Sequence, residues 1–332
     1  MPFSIDQYRA VRQSAGVLDR SSRGRITLRG RDRLTFLHAL LTNDVAGLAP
    51  GTGCYAALLT PQGRMIADMR VFELGDAVLL DVHRETKDVL LAKLDQMLFS
   101  EDVEMGDVSD AFGCISVQGP LAAGVVGATV GLDASVLASW KPFQNARVPW
   151  GGTVIIVART DEFGLPGFLL FTDMAAIPSL AALTGANGAE VVEAITEEVL
   201  RVEAGQPAFL VDMTDETIPL EAGLETTAIS YTKGCFPGQE VLVRIRDRGH
   251  GRVARKLVGL VLDGGEVPDR GAVVREGDKD VGQVTSAVLS PELGKPIALA
   301  YLHRAQSEVG TVVTVSAGGQ DVPATVRALP FR

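Results

Sequence analysis

The texture of the chain changes past Lys256, and that change sets most of what it can fold into. Residues 258–262, 272–274, 282–285, 298–302 and 312–315 are short Val-rich or Ala-rich runs separated by Gly, Asp and Pro. Such runs are too short for helices and are punctuated like strands, so they predict a small all-β barrel or jelly roll. Before residue 250, strand and helix patterns are mixed without a regular βαβ rhythm. That mixture predicts an α+β fold with antiparallel pairing. A domain boundary therefore falls near residues 250–256, and 332 residues are too many for one small core.

The first part has its own organisation. A helical segment is expected at residues 5–16. It precedes a strand at 26–28, a turn at Gly30 and a helix over 31–41 with an apolar face through Leu34, Leu37, His38 and Leu41. A similar unit recurs at residues 115–120, where a strand runs into Gly119 and Pro120 and then an apolar helical stretch. This reads as a weak internal repeat, with Pro120 suited to a first helical turn. Strands are also expected at 77–82, 154–158 and 168–171, and helices at 85–99, 174–183 and 189–202.

Composition excludes several classes. A hydrophobic share of 46% with 22% charged residues is ordinary for a soluble globular chain. No stretch approaches the roughly 18–20 apolar residues of a membrane span, so no membrane partner is expected. The opening Met1-Pro2-Phe3-Ser4-Ile5-Asp6 lacks the basic-then-apolar design of a secretory signal. Cys54, Cys114 and Cys235 are few, odd in number and far apart, which argues against a disulfide framework or a CxxC zinc site and for a reducing cytoplasm. Of the four histidines, His38, His83, His250 and His303, no two are spaced as helical metal ligands, and no bound metal is expected. The net charge of −10 argues against general nucleic-acid binding, including direct DNA binding.

The charge is uneven, however. Between Lys233 and Lys256 seven Lys/Arg face only Glu240 and Asp247. Arg244, Arg246 and Arg248 alternate, which predicts one face of a strand. That face is either solvated or an anion site for a polyglutamate tail, a phosphate or RNA.

At the head of this basic stretch stands Lys233-Gly234-Cys235-Phe236-Pro237-Gly238-Gln239-Glu240. Its glycines permit a tight turn and close backbone approach. Lys233 is placed to favour the thiolate of Cys235, the reactive form of the side chain. The plainer reading is a turn carrying a half-buried thiol and a surface lysine.

Several segments together resemble a known family. Leu18-Asp19-Arg20-Ser21 with Ile26-Thr27-Leu28-Arg29-Gly30-Arg31-Asp32, then Phe36-Leu37 and Thr42-Asn43-Asp44-Val45, are similar to the opening of the glycine-cleavage T-protein superfamily. Arg159-Thr160 through Gly167-Phe168, Arg201-Val202-Glu203-Ala204-Gly205, and residues 219–224 and 282–286 continue the likeness. Leu59-Thr60-Pro61-Gln62-Gly63-Arg64 and the Cys235 octapeptide resemble the YgfZ-type branch. The resemblance implies a three-domain cloverleaf with tetrahydrofolate in its central cavity. It suggests domains at 1–48 with 113–250 (folate-binding), at 49–112, and at 251–332 (the barrel).

The resemblance also assigns residues. Asp68 matches a carboxylate near the reacting folate nitrogen, where it could steer a proton or stabilise an amine's positive charge; otherwise it is a solvent-facing strand residue. Tyr55 matches an aromatic lining the folate pocket, or else packs the sheet. Glu203 matches an acid that reads the pterin edge through paired hydrogen bonds, or else pairs with Arg201 or Arg159. Lys233, Gly238, Gln239, Glu240 and Arg244 are expected beside the folate. Asp81, followed by Val82 and His83, replaces an asparagine that contacts folate in T-proteins.

Two functions follow from the resemblance. One is a tetrahydrofolate-binding factor for maturation or repair of iron–sulfur enzymes, including tRNA-modifying ones, with Cys235 as the functional thiol and those enzymes or assembly proteins as partners. The alternative is a folate-dependent one-carbon transferase, an aminomethyltransferase of glycine-cleavage type, with Asp68 as the key carboxylate. No dinucleotide-binding Gly-rich unit is present, which argues against a flavin-dependent demethylase.

Overall fold

The computed structural model describes residues 3–249 and 251–331. Met1, Pro2, His250 and Arg332, the first two within the opening segment and the third among the four histidines, lie outside the described residues. Two sheets and a barrel organise the chain. A six-stranded sheet runs in the order Glu190–Val191, Gly16–Asp19, Phe112–Gln118, Gly167–Asp173, Thr153–Thr160, Asn145–Trp150. Its pairings are antiparallel except for the parallel bridge of Gly16 and Val17 to Glu190 and Val191. A five-stranded antiparallel sheet runs Thr52–Leu59, Met65–Glu73, Val78–Val82, Gly24–Arg29, Glu104–Asp107. The C-terminal strands close into a six-stranded barrel from Arg255–Leu262 to Gln320–Arg327. The α+β class with antiparallel sheets and a small terminal barrel is thus the observed architecture.

The strand–glycine–helix unit occurs once in each sheet. Strand Gly24–Arg29 leads through Gly30 into helix Arg33–Leu40, and strand Phe112–Gln118 through Gly119 into helix Ala122–Val130. Both glycines hold positive φ, 101° and 133°, and a Cβ on Gly30 would sit 2.0 Å from the Asp102 carbonyl oxygen. Pro120 precedes the second helix rather than opening it.

Alternation along the strands explains how the sheets meet. In Met65–Glu73, Ala67, Met69 and Val71 face the core under the helices, with Leu28, Leu37, Leu80 and Leu94. Asp68, Arg70 and Phe72 therefore share the opposite face. In the six-stranded sheet, Val117, Val157, Phe168 and Leu170 pack under helices with Val126, Leu137 and Leu180. Cys114, Ser116, Gln118, Ile156, Ala158, Thr160, Leu169 and Phe171 point the other way. One half of this inter-sheet layer is apolar: Phe72 and Leu79 meet Cys114, Ile156, Leu169 and Phe171, with Phe72 edge-on to Phe171 at 5.7 Å. The other half is polar and forms the wall of the candidate site.

Two sequence expectations are corrected here. Arg244, Arg246 and Arg248 do not lie on a strand; Gln239–Val243 is α-helical and Arg244–Arg248 continues it as a wider turn. Alternating charges are compatible with either period, and here Leu242 supplies the buried contact of a helix. The border expected at residue 48 does not follow the sheets, because strand Gly24–Arg29 and helix Arg33–Leu40 both build the five-stranded unit.

The barrel docks on the helix Ala194–Glu203. Val199, Leu200 and Val202 pack with Leu257, Val288, Ile297 and Leu299. Arg201, buried, donates to Asp212 Oδ2 at 2.6 Å and to Ser286 Oγ at 2.7 Å across the same joint.

Candidate functional site

Asp68 and Tyr55 sit on neighbouring strands and on one face, half-buried. The Tyr55 hydroxyl donates to Asp68 Oδ2 at 2.6 Å. Burial, and then the charge of Asp68, push the phenol well above its ordinary pKa, so it stays protonated and donating. Asp68 Oδ1 has no hydrogen-bond partner among the described residues. The pair therefore presents one held oxygen and one open acceptor. Asn43 secures it from behind, donating Nδ2 to the Tyr55 carbonyl at 2.8 Å.

Beside the pair runs a row of alternating charge that sequence reasoning missed. Arg70, directly opposite Tyr55 in the ladder, donates to Asp81 Oδ2 at 2.8 Å and to Glu162 Oε1 at 2.5 Å. Arg23 Nε reaches both oxygens of Asp81 at 2.9 Å. Arg20 donates to Glu162 Oε2 at 2.9 Å and also bonds Glu197, while Ser116 Oγ donates to Glu162 at 3.0 Å. Burial alone would raise Glu162, yet Arg20 and Arg70 hold it down at about 2. Asp81 is lowered in the same way, with Arg23 and Arg70 overcoming its burial. The row is internally neutral and ties the two sheets together. Asp81, read as the counterpart of a folate-contacting asparagine, has its oxygens taken by Arg23 and Arg70. The available signal was charged residues at inward positions of otherwise apolar strands.

Arg25 supports this row from beneath. It is fully buried and donates to the carbonyl oxygens of Arg20, Ser21 and Arg23, which fixes the loop that carries two of the three arginines.

The octapeptide lies against the same five-stranded unit. Phe236 is buried with Ala57, Leu59 and Met65, a contact that contributes about 2 kcal/mol. Gly238 takes φ 82° and fits against the Thr60–Gly63 turn, where a Cβ would lie 2.5 Å from the Thr60 carbonyl oxygen and 2.9 Å from Gly63 Cα. Gln239 and Glu240 open the short helix that follows, and Arg244 is exposed at its end. Cys235 is exposed. Lys233 is half-buried, and no hydrogen bond joins it to Cys235 among the described residues. Its ammonium instead donates to the carbonyls of His38 and Leu41 and lies 4.9 Å from the Phe236 ring centroid. Burial lowers it to about 8, against the pull of Asp44 and Cys54.

Glu203 does not join this cluster. It is buried between the first helix and the barrel, where Tyr8 Oη donates to Oε2 at 2.7 Å and Arg12 pairs with the same oxygen. Ser290 Oγ donates to Oε1 at 2.5 Å, with the Glu292 amide at 3.3 Å. Its partner is thus Arg12 rather than Arg201 or Arg159, and both oxygens are occupied. Among the described residues, no His/Cys/Asp/Glu group is suited to a metal ion, and no helix is long and apolar enough to cross a membrane.

Comparison with known proteins covers nearly the whole chain. Residues 1–233 match the GCVT N-terminal domain, and residues 255–332 match the glycine cleavage T-protein C-terminal barrel domain. An aminomethyltransferase of Rubrobacter xylanophilus is 34% identical over 98% of this chain and 85% of its own length. One from Bacillus subtilis is 31% identical over 98% of this chain and 90% of its own. The crystal structure of the glycine cleavage system aminomethyltransferase T of Bartonella henselae superposes with a TM-score of 0.89 at 24% identity, over 99% of this chain and 89% of that one, a likeness of fold. Aminomethyltransferases of this family use tetrahydrofolate as substrate and cofactor. On its two domain matches and its full-length relatives, the chain belongs to the glycine-cleavage T-protein superfamily.

Proposed function

We propose that this chain is a tetrahydrofolate-dependent aminomethyltransferase, with Asp68 and Tyr55 at its reacting centre. The observation that carries this reading is the open Oδ1 of a half-buried Asp68 whose other oxygen is held by a neutral tyrosine. The naming of its full-length relatives as aminomethyltransferases supports it.

The residues fit a reduced pterin. A carboxylate oxygen without a protein partner suits an N–H donor or a nitrogen that becomes positively charged. Bound tetrahydrofolate supplies the nitrogens that receive a one-carbon unit. Asp68 accepts a hydrogen bond or a proton at Oδ1, and Tyr55 fixes the carboxylate's orientation from Oδ2. The Arg20–Glu162–Arg70–Asp81–Arg23 row, closed by Glu197 on Arg20, sets three arginines against three acids, so it shapes the wall without drawing Asp68 into an ion pair. Gly238, Gln239, Glu240 and Arg244 are assigned to the mouth, where Arg244 is free to meet the tail carboxylates of a folate. Glu203, with both oxygens satisfied, is assigned to the barrel joint. The three cysteines are unpaired, in keeping with a reducing cytoplasm.

The test is reconstitution with tetrahydrofolate and an aminomethyl-loaded carrier protein. Release of ammonia with formation of a one-carbon folate, together with a higher melting temperature in tetrahydrofolate, is the expected result. A folate-induced stabilisation without transfer would reject the enzyme and leave a folate-binding protein.

A second reading rests on the octapeptide, a YgfZ-type marker whose Cys235 is exposed between the anchored Lys233 and Phe236. In this reading the chain supports iron–sulfur enzymes or their assembly proteins, including tRNA-modifying enzymes, through the Cys235 thiol. In cells lacking the gene, iron–sulfur enzyme activity then falls and is restored by the wild type but not by Cys235→Ala. Full rescue by Cys235→Ala removes the thiol from the account.

A further inference from the structure

The octapeptide is anchored at Lys233, Phe236 and Gly238, while Gly234, Cys235 and Glu240 are exposed. Phe236 is the central peg, and Gly238 docks without spare room on the Thr60–Gly63 turn. At the other end is Lys233. The helix Arg33–Leu40 ends with its Leu37 carbonyl answered by the Leu41 amide, which leaves the later carbonyls without intrahelical donors. Lys233 reaches across 195 residues of sequence to fill that gap at His38, and bonds the Leu41 carbonyl as well. A cation at a helix C-terminus also meets the negative end of the helix dipole.

The strand of chain leading to Lys233 is stitched to the same place. Thr42 Oγ1 donates to the Ala228 carbonyl at 2.6 Å, and the Ser230 amide donates to the Thr42 carbonyl at 3.0 Å. Asn43 Nδ2 bonds the Thr227 carbonyl at 3.2 Å as well as the Tyr55 carbonyl. The seam thus runs from the Tyr55 strand, through residues 41–43, to the turn that carries Cys235.

We propose that Lys233 is a positioning residue that caps the helix Arg33–Leu40 and thereby fixes the orientation of the Cys235 turn. The charged and titratable groups around it are Asp44, Cys54 and His38, whose Nδ1 lies 3.1 Å from Asp44 Oδ1. None of them replaces the two carbonyls as its hydrogen-bond partners. The sequence places Lys233 beside Cys235 as if to tune the thiol. The geometry gives the lysine to the backbone and leaves the thiol its orientation.

The consequence for function rests on the reading in which Cys235 acts; the positioning itself does not, and the test reads the protein alone. Hydrogen exchange of the two bonded amides that bracket the turn, Ser230 (to the Thr42 carbonyl) and Gln239 (to the Phe236 carbonyl), is compared in wild type, Lys233→Met and Lys233→Arg, with the barrel strands as internal reference. Lys233→Met is expected to speed exchange in the turn about tenfold, the loss of charge-assisted hydrogen bonds, with the barrel unchanged. Lys233→Arg, which keeps donors for both carbonyls, is expected to restore most of the protection. Wild-type protection in Lys233→Met would overturn the proposal. So would loss of protection in the barrel as well, or failure of Lys233→Arg to rescue, since either makes the lysine a general support. Failure of the iron–sulfur reading in cells would leave these exchange results standing.

Discussion

Asp68 and Glu203 are two acids of the same superfamily, both expected at the folate, and the fold treats them in opposite ways. Glu203 lies where a helix meets a barrel, and four donors from two segments close around it. Asp68 lies on an inward face between two sheets, takes one tyrosine and keeps an oxygen open. A carboxylate with no unused acceptor serves architecture; one held on a single side can serve chemistry. The difference is set by what each strand or helix meets, which neither residue's own neighbours in sequence disclose.

The comparison breaks most readily at Glu203. Glu203→Ala leaves the Arg12 cation and the Tyr8 and Ser290 hydroxyls facing a gap, and is expected to cost about 3–5 kcal/mol by urea unfolding. Tetrahydrofolate affinity of the folded fraction should hold; a selective loss of affinity at unchanged stability would return Glu203 to the ligand. Asp68→Asn is the mirror experiment. It should lower one-carbon transfer about a hundredfold or more, while the melting temperature moves little. Equal transfer by this variant would empty the proposed centre.

Acid sharpens the picture through Glu162. Its folded pKa of about 2 lies below the ordinary glutamate value of 4.5. The unfolded chain therefore binds the proton first, so the stabilisation is fully present above about pH 4.5 and is lost as pH falls toward 2. Glu162→Gln should flatten that limb of the stability curve, and an unchanged acid limb would remove Glu162 from the row. The smallest effect is expected from Tyr55→Phe. It removes one hydrogen bond, worth about 1.5–3 kcal/mol to a charged group, and should reduce transfer by about tenfold through misorientation of Asp68. An activity equal to wild type would make the tyrosine simple packing.

Much of the fold was legible because alternation is local. The Val-rich runs after Lys256 become barrel strands, and the repeated strand–glycine–helix unit stands once in each sheet. The Arg244–Arg248 segment misled because alternate arginines satisfy a strand pattern while a single buried leucine, Leu242, selects the helix. Tyr55 and Asp68 could be found from resemblance and do meet in space. Arg20, Arg23, Arg70, Glu162 and Glu197 could not, since their pairing depends on which faces of two distant sheets oppose each other. Lys233 was singled out for its neighbour in sequence, whereas its partners are 192 and 195 residues away.

The contact between Gly63 and Gly238 has a kinetic meaning. Two turns separated by some 175 residues of chain meet backbone to backbone at these glycines, with Val241 and the buried Phe236 packing beside them. Such a pairing closes a very long loop, and the cost of that closure is met before its contacts are gained. The final seat of the Cys235 turn therefore requires the Thr60–Gly63 corner of the five-stranded sheet to be formed. Its exposed thiol takes the orientation seen here only where that corner is in place.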